Sequence, residues 1–164
     1  QTAIVNIRQL AYAVITFWST SSGSESIADQ SGLVPSGISR KQFAALVEYA
    51  SHSETLVAAD LLRRVKRHLG AAGVAHSRNR IVNLRLATAI ADAAAKLISD
   101  WDSIAKEHRN WFGGAILYFA DSRDSEHDFS SAIGFEDDAE VLNVCLKHAG
   151  RGSMCIKIED FDDA

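Results

Sequence analysis

The chain holds one proline and two cysteines in 164 residues. Nowhere does it have the uninterrupted run of ~18 apolar residues that crossing a bilayer requires. Its most apolar stretch, Ala3 to Trp18, is broken by Asn6, Arg8 and Gln9, so no transmembrane segment is expected. Cys145 and Cys155 lack a Cys-x-x-Cys spacing, which argues against a zinc site and a disulfide framework and fits a reducing, cytoplasmic compartment. Neither an internal repeat nor an alternation of strand and helix patterns is present. Gly113-Gly114 sits inside a helical run instead of a phosphate loop, and reads as a place where helices pack closely. Gln1 in place of Met is read as processing or truncation, and no basic segment precedes an apolar one in the manner of a signal peptide.

What the chain does have is helical periodicity. Apolar residues make up 47% of it, enough for one domain with a substantial core. Ile4, Ile7, Leu10, Ala11, Val14, Ile15 and Trp18 follow the i, i+3, i+4, i+7 pattern of an amphipathic helix over Thr2 to Ser19, and the Ser/Gly-rich run Ser19 to Ser26 ends it. Ser39 followed by Gln42 is a capping box opening a second helix through Phe43, Leu46, Val47 and Ala50. A third is expected from a cap at Ser53 through Leu69, stopping at Gly70 and Gly73. Ser77 or Asn79 should open the longest and central helix, running toward His108, with a shorter one over Trp111 to Phe119. Ser130 to Gly134 separates this from Glu136 to His148, and Met154 to Ile158 alternates weakly, as a short strand or extended tail does. The expected fold is all-α: a single-domain bundle of five to seven helices over residues 1–150, followed by a solvated acidic tail, 151–164.

Charge is unevenly distributed along a chain whose net charge is only −4. Ser39 to Arg85 carries nine Lys/Arg against three Asp/Glu, while Ala120 to Ala164 carries four against twelve. Arg40, Lys41, Arg63, Arg64, Lys66 and Arg67 make nucleic-acid binding an alternative, through neutralised phosphates. A helix-turn-helix motif is not supported, because the turn Ala50-Ser51-His52-Ser53 lacks its glycine. The basic run is better explained as the solvated end of an amphipathic helix, where cations complement the helix dipole.

The segment with most chemical promise is Tyr118 to Ala139, YFADSRDSEHDFSSAIGFEDDA. If its serine-rich linker folds back, Asp124, Asp128, Asp137 and Asp138, helped by Asp121 or His127, would supply oxygen and nitrogen ligands to Mg²⁺, Ca²⁺ or Mn²⁺. An EF-hand is excluded, since a register from Asp124 puts Phe129 where glycine is needed and Phe135 where glutamate is needed. His127-Asp128 resembles the doublet of metal phosphohydrolases but lies in a polar turn, which favours a surface histidine. The alternative for the carboxylates is structural, as caps and first-turn residues at helix ends. Cys145, spaced with Val141, Leu142 and Leu146, reads as a buried, unreactive thiol.

Tyr118, Asp124, Asp128, Gly134, Phe135, Asp137, Asp138 and Ala139 stand, without a gap, where the YkvA-like family of small helical domains has its tyrosine, two aspartates, glycine, aromatic and Asp-Asp-Ala. The chain resembles that family over residues 111–148, including Leu117 and Val141-Leu142. It differs in having Ser122, His127 and Ser131 for prolines, and Arg123, Ser125, Glu126 and Ser130 for hydrophobic residues. The resemblance implies a helical hairpin around an acidic turn and carries over no catalytic residue. The sequence therefore points to a binding or scaffold domain, not an enzyme, which meets a protein partner or another copy of itself through this hairpin.

Overall fold

The structure, a computed structural model, describes residues 34–121 and 128–162. The expected N-terminal helix and the Ser19 to Ser26 loop lie outside the described residues. The chain divides into two compact units, Gln1–Ser36 and Gly37–Ala164, and every helix named below belongs to the second. That unit is an all-α bundle without a strand among the described residues. Its main helices are α1 (Arg40–Ser53), α2 (Ala58–Arg78), α3 (Leu84–Ser99), α4 (Lys106–Ala120) and α5 (Glu136–His148).

Helix α1 starts where the capping box places it. The Gln42 backbone N–H donates to Ser39 Oγ at 3.1 Å, and the Ser39 N–H donates to Gln42 Oε1 at 2.6 Å. Two of the orphan donors at the helix start are thereby satisfied. The Gln42 amide also donates to Glu140 Oε2 at 2.8 Å, tying α1 to α5. Ser53 does not cap the next helix. It closes α1, its hydroxyl donating to the Ala50 carbonyl at 2.8 Å, and α2 begins after Val57 with no side-chain cap.

Helix α2 runs straight through Gly70 and Gly73 to Arg78, so the two glycines do not end it. Neither has the positive φ of a helix terminator, and the apolar stripe Leu61, Val65, His68, Ala72 continues past them. Tertiary packing of that stripe overrides glycine's weak helix propensity. The long helix expected from Ser77 or Asn79 to His108 is two elements. Asn83 opens α3, its Oδ1 accepting the Leu86 N–H at 3.0 Å, and α3 stops at Ser99. Ser99 and Ser103 turn their hydroxyls onto the Lys96 and Asp100 carbonyls, both at 2.7 Å, and Trp101–Ser103 winds as a 3₁₀ turn. Short polar side chains that compete for backbone groups explain the break.

The central element is α4. Phe112 to Leu117, Phe119 and Ala120 are all buried, the signature of a helix surrounded by others. α1 packs chiefly on α4, α2 on α3 and α4, and α5 on α4 and α3. The closest approach is at the glycine pair: a Cβ on Gly114 would stand 2.8 Å from the Ala50 backbone nitrogen, and one on Gly113 would stand 2.5 Å from Ser53 Oγ.

In the acidic tail, Gly152–Met154 and Ile158–Phe161 wind as 3₁₀ turns instead of the short strand or extended run expected over Met154 to Ile158, and the segment folds back onto the helices while Glu159, Asp160 and Asp162 stay exposed. The Asn143 side chain donates to the Ile156 carbonyl at 2.8 Å and accepts the Ile156 N–H at 2.7 Å. Asn83 Nδ2 donates to the Phe161 carbonyl at 3.0 Å, and Arg85 lies over the Phe161 ring, 5.6 Å from its centroid.

Gly114→Ala should cost about 1–3 kcal/mol, because backbone, not a flexible side-chain tip, occupies the space of the new methyl. Urea unfolding of the two proteins measures this, and an unchanged midpoint would contradict the close approach of α1 and α4.

Candidate functional site

The turn joining α4 to α5 folds over His68 of α2. Being spaced seven from Leu61 and three from Val65, His68 falls on the buried stripe of its helix. Its ring lies edge-on to Phe119, with centroids 4.8 Å apart, is stacked on Phe129 at 5.3 Å and is edge-on to Phe135 at 6.1 Å. His68 Nε2 stands 3.3 Å from Asp128 Oδ2. That distance puts the carboxylate beside the ring nitrogen, but the alignment falls short of a hydrogen bond, which leaves Nε2 buried without one. His68 directly follows the basic run Arg63 to Arg67 in sequence, which masks this role. The signal was its register with Leu61 and Val65.

Gly134 lets the turn close. A Cβ there would lie 2.6 Å from both Cα and the carbonyl oxygen of Asp128. Asp128, Phe135, Asp138 and Ala139 are buried, whereas Asp137 is exposed. Neighbouring residues on a helix point about 100° apart, so Asp137 and Asp138 cannot share one environment once α5 is packed.

The turn is therefore as tight as convergence of the aspartates requires, but it does not gather them. Asp128 goes inward to His68, Asp138 goes into the core at 3% exposure, and Asp137 faces solvent. Asp121 follows the last residue of α4, where its N–H donates to the Leu117 carbonyl at 2.8 Å. Asp124 and His127 lie outside the described residues. Among the described residues no three His, Cys, Asp or Glu side chains are placed to hold a metal ion. Glu136, Asp137 and Asp138 occupy the first turn of α5, where carboxylates complement the helix dipole.

The outer side of the same turn borders a cleft of about 950 Å³. Ala132, Ile133 and Glu136 line it from the turn, Ile81 and Arg85 from around the start of α3, and Phe161 from the C-terminal segment. Ile133 is 65% exposed and Ile81 51%, and the two line the same cleft. The Glu136 carboxyl is held above its ordinary pKa of 4.5, first by partial burial and then by the neighbouring Asp162, Glu140 and Asp137. Cys145 is fully buried, and burial pushes its thiol up to about 12, leaving it protonated at neutral pH. Comparisons with known proteins find no family, no curated protein and no solved structure that matches the chain.

Asp128→Ala should lower stability by about 1–3 kcal/mol, since it removes a buried carboxylate that stands against the buried His68 ring nitrogen. Asp137→Ala, on the exposed side of the same turn, should stay within about 0.5 kcal/mol of the parent. Equal effects in thermal unfolding would contradict the inward and outward division of these carboxylates. With a thiol reagent at pH 8, half-buried Cys155 should react first and Cys145 only on unfolding. Mass spectrometry of the labelled peptides distinguishes the two.

Proposed function

We propose that the chain is a binding module, not an enzyme, and that its cleft takes a short segment of a partner protein bearing a large apolar side chain. The carrying observation is the exposure of Ile133 and Ile81 on one concave surface, 65% and 51% of each residue open to water. Apolar side chains rimmed by charge mark protein-interaction sites more often than they mark unused surface. Arg80 and Arg85 on one hand, and Asp92, Glu136 and Asp162 on the other, supply that rim. A volume of this size suits a peptide segment or a few buried side chains.

The hairpin that resembles the YkvA-like family supplies the Ala132, Ile133 and Glu136 wall. On this reading its inward residues, Asp128, Gly134, Phe135 and Asp138, hold the turn in shape, and its outward residues meet the partner. The divalent-metal reading loses support, because the aspartates in the described part of the segment serve the interior and the first turn of α5.

A displayed random-peptide library, selected on the parent protein and counter-selected on Ile133→Asp, tests this. Enriched peptides should carry large apolar residues, shift the NMR signals of Ile81 and Ile133, and bind the variant at least about tenfold more weakly, or ~1.4 kcal/mol. The variant should keep the parent's melting temperature, because the position is exposed. Peptides that bind the variant equally, or that perturb only residues away from the cleft, would overturn the assignment. Sedimentation of the chain alone distinguishes a second copy as the occupant, which Ile133→Asp would then disrupt.

A further inference from the structure

From Leu61 to Ala91 the chain contains no Asp or Glu, yet it carries Arg63, Arg64, Lys66, Arg67, Arg78, Arg80 and Arg85. Most of this stretch is α2. Its buried stripe faces α3 and α4, and Arg63, Lys66, Arg67 and Arg78 are exposed on the other side. Arg63 pairs with Asp60 one turn earlier. Among the described residues no carboxylate pairs with Lys66, Arg67 or Arg78.

Between the two cationic ends Gly70, Ala71 and Val74 face solvent, and a Cβ on Gly70 or Gly73 would meet nothing within 4 Å among the described residues. Glycine in a helix interior costs stability relative to alanine, and here no packing among the described residues requires it. A face with cations at both ends and no side chain at Gly70 lets an extended polyanion approach the helix backbone there. At 1.5 Å of rise per residue, Arg67 and Arg78 are about 17 Å apart along the axis, enough to bridge a major groove ~12 Å wide and reach phosphates on both walls.

We propose that the solvent-facing side of α2 docks double-stranded DNA through its phosphates, without reading sequence. The middle of the face offers no long hydrogen-bonding side chain to reach base edges, so the contacts are electrostatic. A membrane surface fits less well. Val74 is the one large exposed apolar side chain of α2, and interfacial helices need an aromatic or leucine face to bury. This surface is distinct from Ile81 and Ile133, so its fate and that of the peptide cleft are separable.

Fluorescence anisotropy with labelled mixed-sequence duplexes tests the proposal on the whole chain. Binding should appear at about 50 mM salt, weaken steeply toward about 200 mM, and be equal for unrelated sequences. The double variant Arg67→Glu/Arg78→Glu should lose at least about tenfold in affinity at an unchanged Tm. Gly70→Leu should raise Tm while weakening binding, a combination that a purely structural role for the glycine does not produce. Failure of the parent to bind at low salt overturns the proposal, as does unchanged affinity in the double variant. Preferential binding to phosphatidylserine vesicles over DNA overturns it as well.

Discussion

The bundle depends on two places where no methyl group fits. At Gly114 the α4 backbone meets the Ala50 backbone of α1, and at Gly134 the turn meets its own chain at Asp128. The first contact allows α4 to be enclosed by neighbours, which explains why nearly every residue from Phe112 to Ala120 is buried. The second brings Phe129 and Phe135 around His68, so that α2 is held by the hairpin as well as by its own apolar stripe. Close-packed interiors tolerate little change in volume, and both contacts sit where the cost of an added atom falls on backbone.

The second contact also decides what the acidic segment does. A cluster of aspartates in sequence invites a metal reading, because hard cations select oxygen ligands. Among the described residues folding sends three of them to different surroundings: Asp128 lies beside His68, Asp138 enters the core and Asp137 stays in water. Burial of a polar group is tolerated when it is partnered, so the inward aspartates specify the turn's shape.

Two surfaces of unlike chemistry result. One is a concave patch with exposed isoleucines, lined by residues from around the α2–α3 junction, the turn and the C-terminal segment. The other is the cationic, solvent-facing side of α2, where Gly70 carries no side chain. Arg80, just beyond α2, lines the cleft, so the basic stretch ends where the apolar surface begins.

Local signals settled the helical class, the start of α1, the close-packing glycines of α4 and the seam between the turn and α5. Ser39 with Gln42, the apolar stripes and Gly113-Gly114 act within a few residues of themselves, and such short-range physics is legible in sequence. Only the tertiary structure decided that α2 continues through Gly70 and Gly73, that Ser99 to Ser103 divides the next helix, and that 151–162 packs through Asn143 and Asn83. It also decided the pairing of His68 with Asp128, sixty positions apart, and the assembly of the cleft from three distant stretches. Periodicity tells which face of a helix is buried, but the group it is buried against depends on distances through space that no local pattern encodes.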